Sequence, residues 1–371
     1  SLIVTGVQTC ALPISRESAK LRQLLRNPRA EIHGQEHVAV FSDAGRLWSP
    51  SRLAALVDGE SRQWVVVRWI ARAEARAGKP SALRLAYMAL SGETLHWSLF
   101  PVVFGLMLSS RSVSPGLALG VVLTIVLMHL AANAANKALG HLWGDDREYR
   151  YTGAKVLLRG WAMADHFLVL SAIFSLVATI VGTALTLHMR RPWLLPIGFL
   201  AGMLAWQFNA PPLRLKRTPA GDGVIFLLFG PVLTLSVCYL ASGTLTTASW
   251  GAGLITGLHV SLGHFLRSIR LLYEDALVGH NTMAGKFGFF RSIKVAVVLS
   301  VTLTLAPGAC FVWLRSPFAL VGSVVSGLLF FWALRPAVSA TTPHDPRLAR
   351  AIYRLNMVQW IYPLTFIGLL G

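Results

Sequence analysis

The stretch Asn209–Lys216, NAPPLRLK, combines paired prolines with two cations. The prolines stop a helix and hold an extended turn, so Arg214 and Lys216 are expected to be aimed to one side. A rigid turn presenting cations suits an anion. Asn133, Asn136, Lys137 and Gly140 follow helical spacing and predict one polar helix face, and His264, Arg267, Leu271 and Asp275 predict a second. Asp145, Asp146 and Glu148 follow the first stripe, and Glu274 and Asp275 end the second; these five are among the few acids beyond His96. A plainer account stays open, in which both stripes are solvated helix ends and the proline turn is a stiffened connector.

The elements that must position these residues are membrane spans. The chain has 371 residues, 54% in the hydrophobic class and 13% charged, far more apolar than a soluble domain. A surplus of 34 Lys and Arg over 16 Asp and Glu gives +18. Apolar runs of spanning length interrupt that charge, which points to a membrane and away from nucleic acid. Spans are expected near 96–110, 114–137, 161–187, 192–208, 223–242, 250–270, 292–313, 317–334 and 351–370, about nine in all. Loops after even-numbered spans hold sixteen Lys and Arg, from Lys137 to Arg350, against four (Arg111, Arg190, Arg191, Arg315) on the other side. By the positive-inside rule the N-terminus, both acidic loops and the proline turn are expected to be cytoplasmic; the membrane itself is expected to be a bacterial inner membrane.

Upstream, Val4–Ile14 (VTGVQTCALPI) resembles the translation of a sequencing adapter, so residues 1–15 are set aside as an artefact. Residues 16–92 form a small water-compatible cytoplasmic segment without a span. Within it Trp64–Ala77 begins strand-like and ends in helix formers, so a small α/β appendage and an amphipathic surface helix are both open. The transmembrane domain is assigned to 93–371.

From His96 to Gly371 the chain resembles the UbiA superfamily of intramembrane prenyltransferases, in particular the branch that prenylates 1,4-dihydroxy-2-naphthoate. The likeness rests on NAPPLRLK, on Phe226–Thr246 (FLLFGPVLTLSVCYLASGTLT) and on Arg270–Gly288 (RLLYEDALVGHNTMAGKFG). In the last stretch Arg270, Asp275, Gly279, Thr282, Ala284 and Gly288 fall in register with the family pattern R-D-x-x-x-D-x-x-x-G-K-x-T-L-A-x-x-x-G. The resemblance implies an all-α polytopic fold of about nine helices around a central cavity. It also implies two Asp-rich loops holding Mg²⁺ against the diphosphate of a polyprenyl donor, whose allylic cation an aromatic ring attacks. Asp146 and Asp275 would be the catalytic metal ligands, supported by Asp145 and Glu274. Asn136, Lys137, Arg214, Lys216 and Arg270 would contact the substrate, with Arg able to bind phosphate bidentately.

The motifs are degenerate. Where the family's first motif reads N-D-x-x-D-x-x-x-x-x-D, this chain has Asn136, Lys137, Gly140 and Asp146; in the second, Leu271 replaces the first Asp and His280 the lysine. The resemblance therefore implies weakened Mg²⁺ binding, with Lys137, Arg267 or nearby histidines supplying part of the neutralisation.

Three functions compete: a divergent prenyltransferase using a polyprenyl diphosphate and an aromatic or quinone-precursor acceptor, a non-catalytic relative binding an isoprenoid, quinone or lipid, and an unrelated transporter. For the transporter the nearest relay groups are Asp165, His166 and His259, the first two read as helix-end polars and the last as a satisfied interior histidine. Trp97, Trp193, Trp206, Trp250 and Trp360 are expected to be interfacial anchors. Gly116–Gly120 and Gly198–Gly202 are expected to be close-packing sites between helices.

Overall fold

A computed structural model describes residues 2–5, 7–13, 35–42, 47–48, 64–71, 81, 87–88, 90–109, 113–143, 155–158, 162–277, 279–314 and 318–369. The chain divides into two compact units, Ser1–Ala82 with Leu277–Gly279, and Leu83–Ala276 with His280–Gly371.

The first unit holds an antiparallel sheet of strands β1 (Leu2–Thr5), β2 (Val7–Pro13), β3 (Gln35–Ser42), β4 (Leu47–Trp48) and β5 (Trp64–Ala71), in the order β1-β2-β5-β3-β4. The strand-like start of Trp64–Ala77 is the middle strand, paired with β2 and β3. Its β-branched run Val65–Val67 suits a pleated surface flanked on both sides.

The second unit is all helical in its described residues. It opens with α1 (His96–Met107), α2 (Pro115–Leu142), α3 (Ala164–His188) and α4 (Leu194–Gln207). Next come α5 (Ala220–Leu227) and α6 (Leu233–Ser242), joined by a π turn, and α7 (Thr247–Arg270). The short α8 (Leu272–Leu277) and α9 (Met283–Phe287) lead to α10 (Phe289–Leu314), α11 (Phe318–Val338) and α12 (Pro346–Ile361).

Among the described residues five segments are long and apolar enough to cross a membrane: Pro115–Leu142, Ala164–His188, Ala220–Ser242, Phe289–Ala309 and Leu320–Val338. Their outward faces carry large apolar side chains, as Ile173, Leu176 and Ile180 on α3 and Leu320, Val324 and Leu328 on α11 are exposed. Exposure on that scale is costly in water and ordinary in lipid. The protein is an integral membrane protein.

Local chemistry sets the helix ends. Ser114 caps α2, accepting from Leu117 N at 3.3 Å with Pro115 in the first turn. Thr246 and Ser249 form a reciprocal capping box on α7, and Gly243 ends α6 at φ 79°, a conformation that favours glycine.

Helix α7 runs through the core. Thr256, His259, Leu262, Leu266 and Ile269 are fully enclosed, packing toward Phe100, Phe104, Leu303, Phe330 and Leu355 from four other helices. Its polar and small residues keep it off the set of apolar spans, because protein surrounds it where lipid surrounds the others.

The closest helix approach is not where the glycine spacing predicted it. A side chain at Gly116, Gly198 or Gly202 would meet nothing within 4 Å, so these are not packing notches, whereas one at Gly120 would lie 3.0 Å from Leu185 Cδ2 of α3. At Gly230, in the π turn Leu228–Val232, an added Cβ would lie 2.5 Å from Gly257 Cα. Backbone against backbone at that crossing leaves no room for a side chain on either helix. Pro231 removes one amide donor and favours the local break in the α ladder.

The proposed relay residues of a transporter do not form a relay. Asp165 and His166 are exposed in the first turn of α3. His259 is interior as expected but not satisfied: neither ring nitrogen has a hydrogen-bond partner among the described residues. Its ring is held by stacking on Tyr362, at 5.2 Å and 11°.

Candidate functional site

A cavity of about 1240 Å³ opens among α1–α7, larger than the sites that enclose most small molecules. Val121, Ile125, Leu194, Phe199, Val237 and Leu240 make much of it apolar. Its charged residues, apart from Glu93, come from where α2, α4 and α7 end and α5 begins, bringing Lys137, Lys216, Asp222, Arg267 and Arg270 onto the wall with Asn136 and Asp275. The stripes at Asn133–Lys137 and His264–Asp275 both face this space, as their spacing predicted; Gly140 borders a separate small recess.

Each charged group is held by identifiable neighbours. Lys216 Nζ donates to Asn136 Oδ1 at 3.3 Å, joining the proline turn to α2. Lys137 Nζ donates to Met88 O and, at 2.8 Å, to Ser91 Oγ. This anchors the segment before α1 while leaving the lysine on the cavity wall. Arg267 lies 4.9 Å from the Trp97 ring centroid and donates through Nη2 to Asn356 Oδ1 at 3.3 Å. Arg267 and Arg270 fall in the last turn of α7, where the helix dipole favours positive charge.

Among the described residues the wall carries three carboxylates, Glu93, Asp222 and Asp275. Asp222 Oδ1 lies 3.2 Å from His264 Nδ1, and Asp275 Oδ1 lies 3.1 Å from His280 Nδ1. Glu274, expected beside Asp275 as a metal ligand, points elsewhere. It is buried against His344 Nε2 at 3.0 Å and is not on the cavity wall. Consecutive helix positions are about 100° apart, so the two adjacent acids of α8 cannot share a face. Arg214 is also set apart from the cavity: its guanidinium lies 4.3 Å from the Trp143 ring centroid. At φ 45° it occupies a left-handed turn, and Lys216 rather than Arg214 reaches the cavity. Asp145 and Asp146 lie outside the described residues.

Several wall residues were not anticipated. Trp97, read as an interfacial anchor, is buried on the wall with Nε1 donating to Gln359 Oε1 at 3.4 Å. Trp206 also lines the cavity, whereas Trp193, Trp250 and Trp360 are exposed but not on its wall. Glu93, Ser98, His129 and Asp222 had no motif to mark them; only the rarity of acids around Asp222 was a signal.

The donor chemistry of the described residues is a poor match for Mg²⁺. No three His, Cys, Asp or Glu groups come together among them, and two of the three wall carboxylates already face imidazoles. This part of the wall does not fit a divalent ion held by protein carboxylates; it fits an anion held by Lys and Arg.

The helical scaffold is shared with solved intramembrane proteins. An apo UbiA homologue from Aeropyrum pernix K1 superposes with a TM-score of 0.60 at 16% identity, covering 75% of this chain and 98% of its own. A UbiA homologue from Archaeoglobus fulgidus bound to GPP and Mg²⁺ gives 0.58 at 13%, covering 77% and 99%. Digeranylgeranylglyceryl phosphate synthase gives 0.54 at 15%, covering 78% and 98%. No curated protein sequence matches the chain. The UbiA prenyltransferase family model matches residues 98–358, which span all the cavity helices except the first turn of α1. With that match over most of its length, the chain belongs to the UbiA prenyltransferase family.

Proposed function

We propose that the protein transfers a polyprenyl group from its diphosphate to an aromatic or quinone-precursor acceptor inside the membrane, with a reduced need for Mg²⁺. The observation that carries this reading is the cavity itself, apolar along most of its wall and ending at Lys137, Lys216, Arg267 and Arg270. An isoprenoid tail matches the apolar part and a diphosphate the cationic end. Related structures bound to DMAPP or GPP with Mg²⁺ support the donor class, and the motif register supports a dihydroxynaphthoate acceptor.

In this mechanism Lys216 and Arg270 hold the diphosphate oxygens, and Lys137 and Arg267 add positive charge nearby. Preorganised cations around a departing anion lower the barrier to breaking the allylic C–O bond, because the charge they stabilise grows in the transition state. The Trp97 and Phe229 rings shield the allylic carbon from water. Asp275, Asp146 and Asp145 are proposed as the remaining carboxylates of the site, on the cytoplasmic side of a bacterial inner membrane.

A second reading, binding of an isoprenoid or quinone without turnover, draws on Asp222 and Asp275 each facing a histidine instead of an open position. Incubating purified protein with labelled geranyl diphosphate and 1,4-dihydroxy-2-naphthoate or 4-hydroxybenzoate, with and without Mg²⁺, separates the two. A prenylated product establishes transfer; tight binding of the donor with no product under any metal condition establishes the second reading.

A further inference from the structure

Asp222 and His264 form a pair on the cavity wall that the diphosphate chemistry does not use. Asp222 sits in the first turn of α5 and His264 near the end of α7, with Oδ1 3.2 Å from Nδ1. One turn along each helix, Ile225 and Val260 pack in a single apolar cluster with Trp97. That packing fixes α5 against α7 and so sets the spacing of the pair. The Trp97 and Phe208 rings flank the imidazole edge-on, each with its centroid 6.2 Å away.

A carboxylate oxygen can only accept, so Nδ1 carries the N–H of the pair and Nε2 of the neutral ring keeps a lone pair. Among the described residues that Nε2 has no hydrogen-bond partner, and it is not sealed from solvent as both ring nitrogens of His259 are. The His264 and Asp222 side chains are 23% and 18% exposed. The other histidine on the described wall, His129, has both ring nitrogens in hydrogen bonds, to Thr94 and Ser98. Among the described residues His264 is therefore the wall histidine with a nitrogen open to a ligand. An oriented imidazole with a free lone pair, backed by a carboxylate that stabilises its charged form, has the features of a general base.

We infer that His264 is the catalytic base of the transfer, positioned by Asp222, and takes the proton of the acceptor's ring hydroxyl. The inference rests on the proposed transfer reaction and supplies its proton-transfer step. The allylic C–O bond breaks with its electron pair going to the diphosphate. A ring carbon beside the hydroxyl then forms the C–C bond to the allylic cation while the O–H proton passes to Nε2, giving a neutral ketone and an imidazolium in place of a cationic ring. Asp222 accepts from Nδ1–H and holds that imidazolium. The imidazolium returns the proton to the same oxygen as the ring carbon gives up its own hydrogen to water, so one proton leaves per product and the base is regenerated. The position suits this step. His264 precedes Arg267 and Arg270 by three and six residues, about 4.5 and 9 Å along the helix. A diphosphate held by Lys216 and Arg270, with its tail in the apolar part of the cavity, directs its first carbon toward the turn that carries His264. Trp97, edge-on to His264 and 4.9 Å from Arg267, spans the interval.

Transfer kinetics of the full chain in lipid nanodiscs test it, with geranyl diphosphate and either 4-hydroxybenzoate or 1,4-dihydroxy-2-naphthoate, and with donor affinity titrated separately. His264→Gln, similar in size but without a basic nitrogen, is expected to lower kcat by about 100-fold or more while donor Kd stays within about 2-fold. His264→Ala is expected to behave alike and to regain at least about 10-fold of its rate with added imidazole, a rescue that a merely structural role would not give. Asp222→Asn is expected to lower kcat by about 10-fold or more, because its amide can donate to Nδ1 and hold the wrong tautomer, and Asp222→Glu to recover part of the loss. Rates within about 2-fold of wild type in both His264 variants, a kcat loss matched by loss of donor affinity, or no response of His264→Ala to imidazole overturns the inference and leaves the transfer reaction standing. Absence of product from the wild type itself overturns both.

Discussion

Lys216 Nζ donates to Asn136 Oδ1 across 3.3 Å, so a cation from the proline turn touches the asparagine that opens the first degenerate motif. Positive charge is thereby fixed to α2 by the protein itself. Replacing Lys216 with Met is expected to weaken geranyl diphosphate binding by about 10- to 100-fold, the range for loss of a charge-assisted hydrogen bond. Isothermal titration in detergent reads this directly.

Metal removal tests the same idea from the other side. With Lys137, Lys216, Arg267 and Arg270 on the wall, diphosphate release in the presence of excess EDTA is expected to remain within about 10-fold of the rate with Mg²⁺, equivalent to about 1.4 kcal/mol. A fall to the uncatalysed rate would show that the cations do not substitute for a metal.

Asp275 and Glu274 are neighbours in sequence with opposite surroundings. Asp275→Ala removes the carboxylate that faces His280 on the cavity wall and is expected to lower transfer by about 10-fold or more. Glu274→Ala removes the contact between its carboxylate and His344 Nε2, which is not on the cavity wall, and is expected to lower the melting temperature while leaving donor affinity within about 2-fold. Equal kinetic loss in both variants would return Glu274 to the site.

Asp345 caps α12, accepting from Arg347 N at 2.9 Å and from its guanidinium at 2.8 Å. The Arg347 hydrogen bond holds the Asp345 carboxyl well below the usual carboxylate range. A depressed folded value means that its contribution is full above the unfolded value of about 3.9 and fades as pH falls below it. Asp345→Ala is expected to cost about 1 kcal/mol at pH 7. Thermal melts at pH 7 and pH 3 should show the gap between variant and wild type narrowing at the lower pH.

The α5–α7 crossing leaves no space for a side chain. Gly257→Val would drive methyl groups into Phe226, whose ring lies 2.8 Å from an added Cβ, and is expected to cost about 1–3 kcal/mol. Size-exclusion profiles and melting curves of the purified variant report it.

Much of this fold was legible because spans announce themselves by apolar length. The polar faces of α2 and α7 could be read by counting residues at helical spacing, and Asn136, Lys137, Lys216, Arg270 and Asp275 do meet on one wall. The reading failed where direction depends on tertiary packing. Arg214 turns to Trp143 because its backbone is left-handed, and Glu274 turns to His344 because α8 separates it from Asp275. Trp97 has the composition and position of an interfacial anchor, and only its contacts with Gln359 and Arg267 reveal a wall residue. The hydrogen-bonded chain Thr94–His129–Ser98 joins α2 to the segment around the start of α1, and no spacing rule links residues so far apart in sequence.

Helix α4 has no buried residue, yet Leu194, Ile197, Phe199 and Gly202 line the cavity. On that side the wall is this one helix, packed lightly against α2 and α3. A long hydrocarbon donor of the kind proposed, entering on that side, would stay within the bilayer plane and keep its oily surroundings, so its supply would follow its two-dimensional density in the membrane rather than its vanishing solubility in the cytosol.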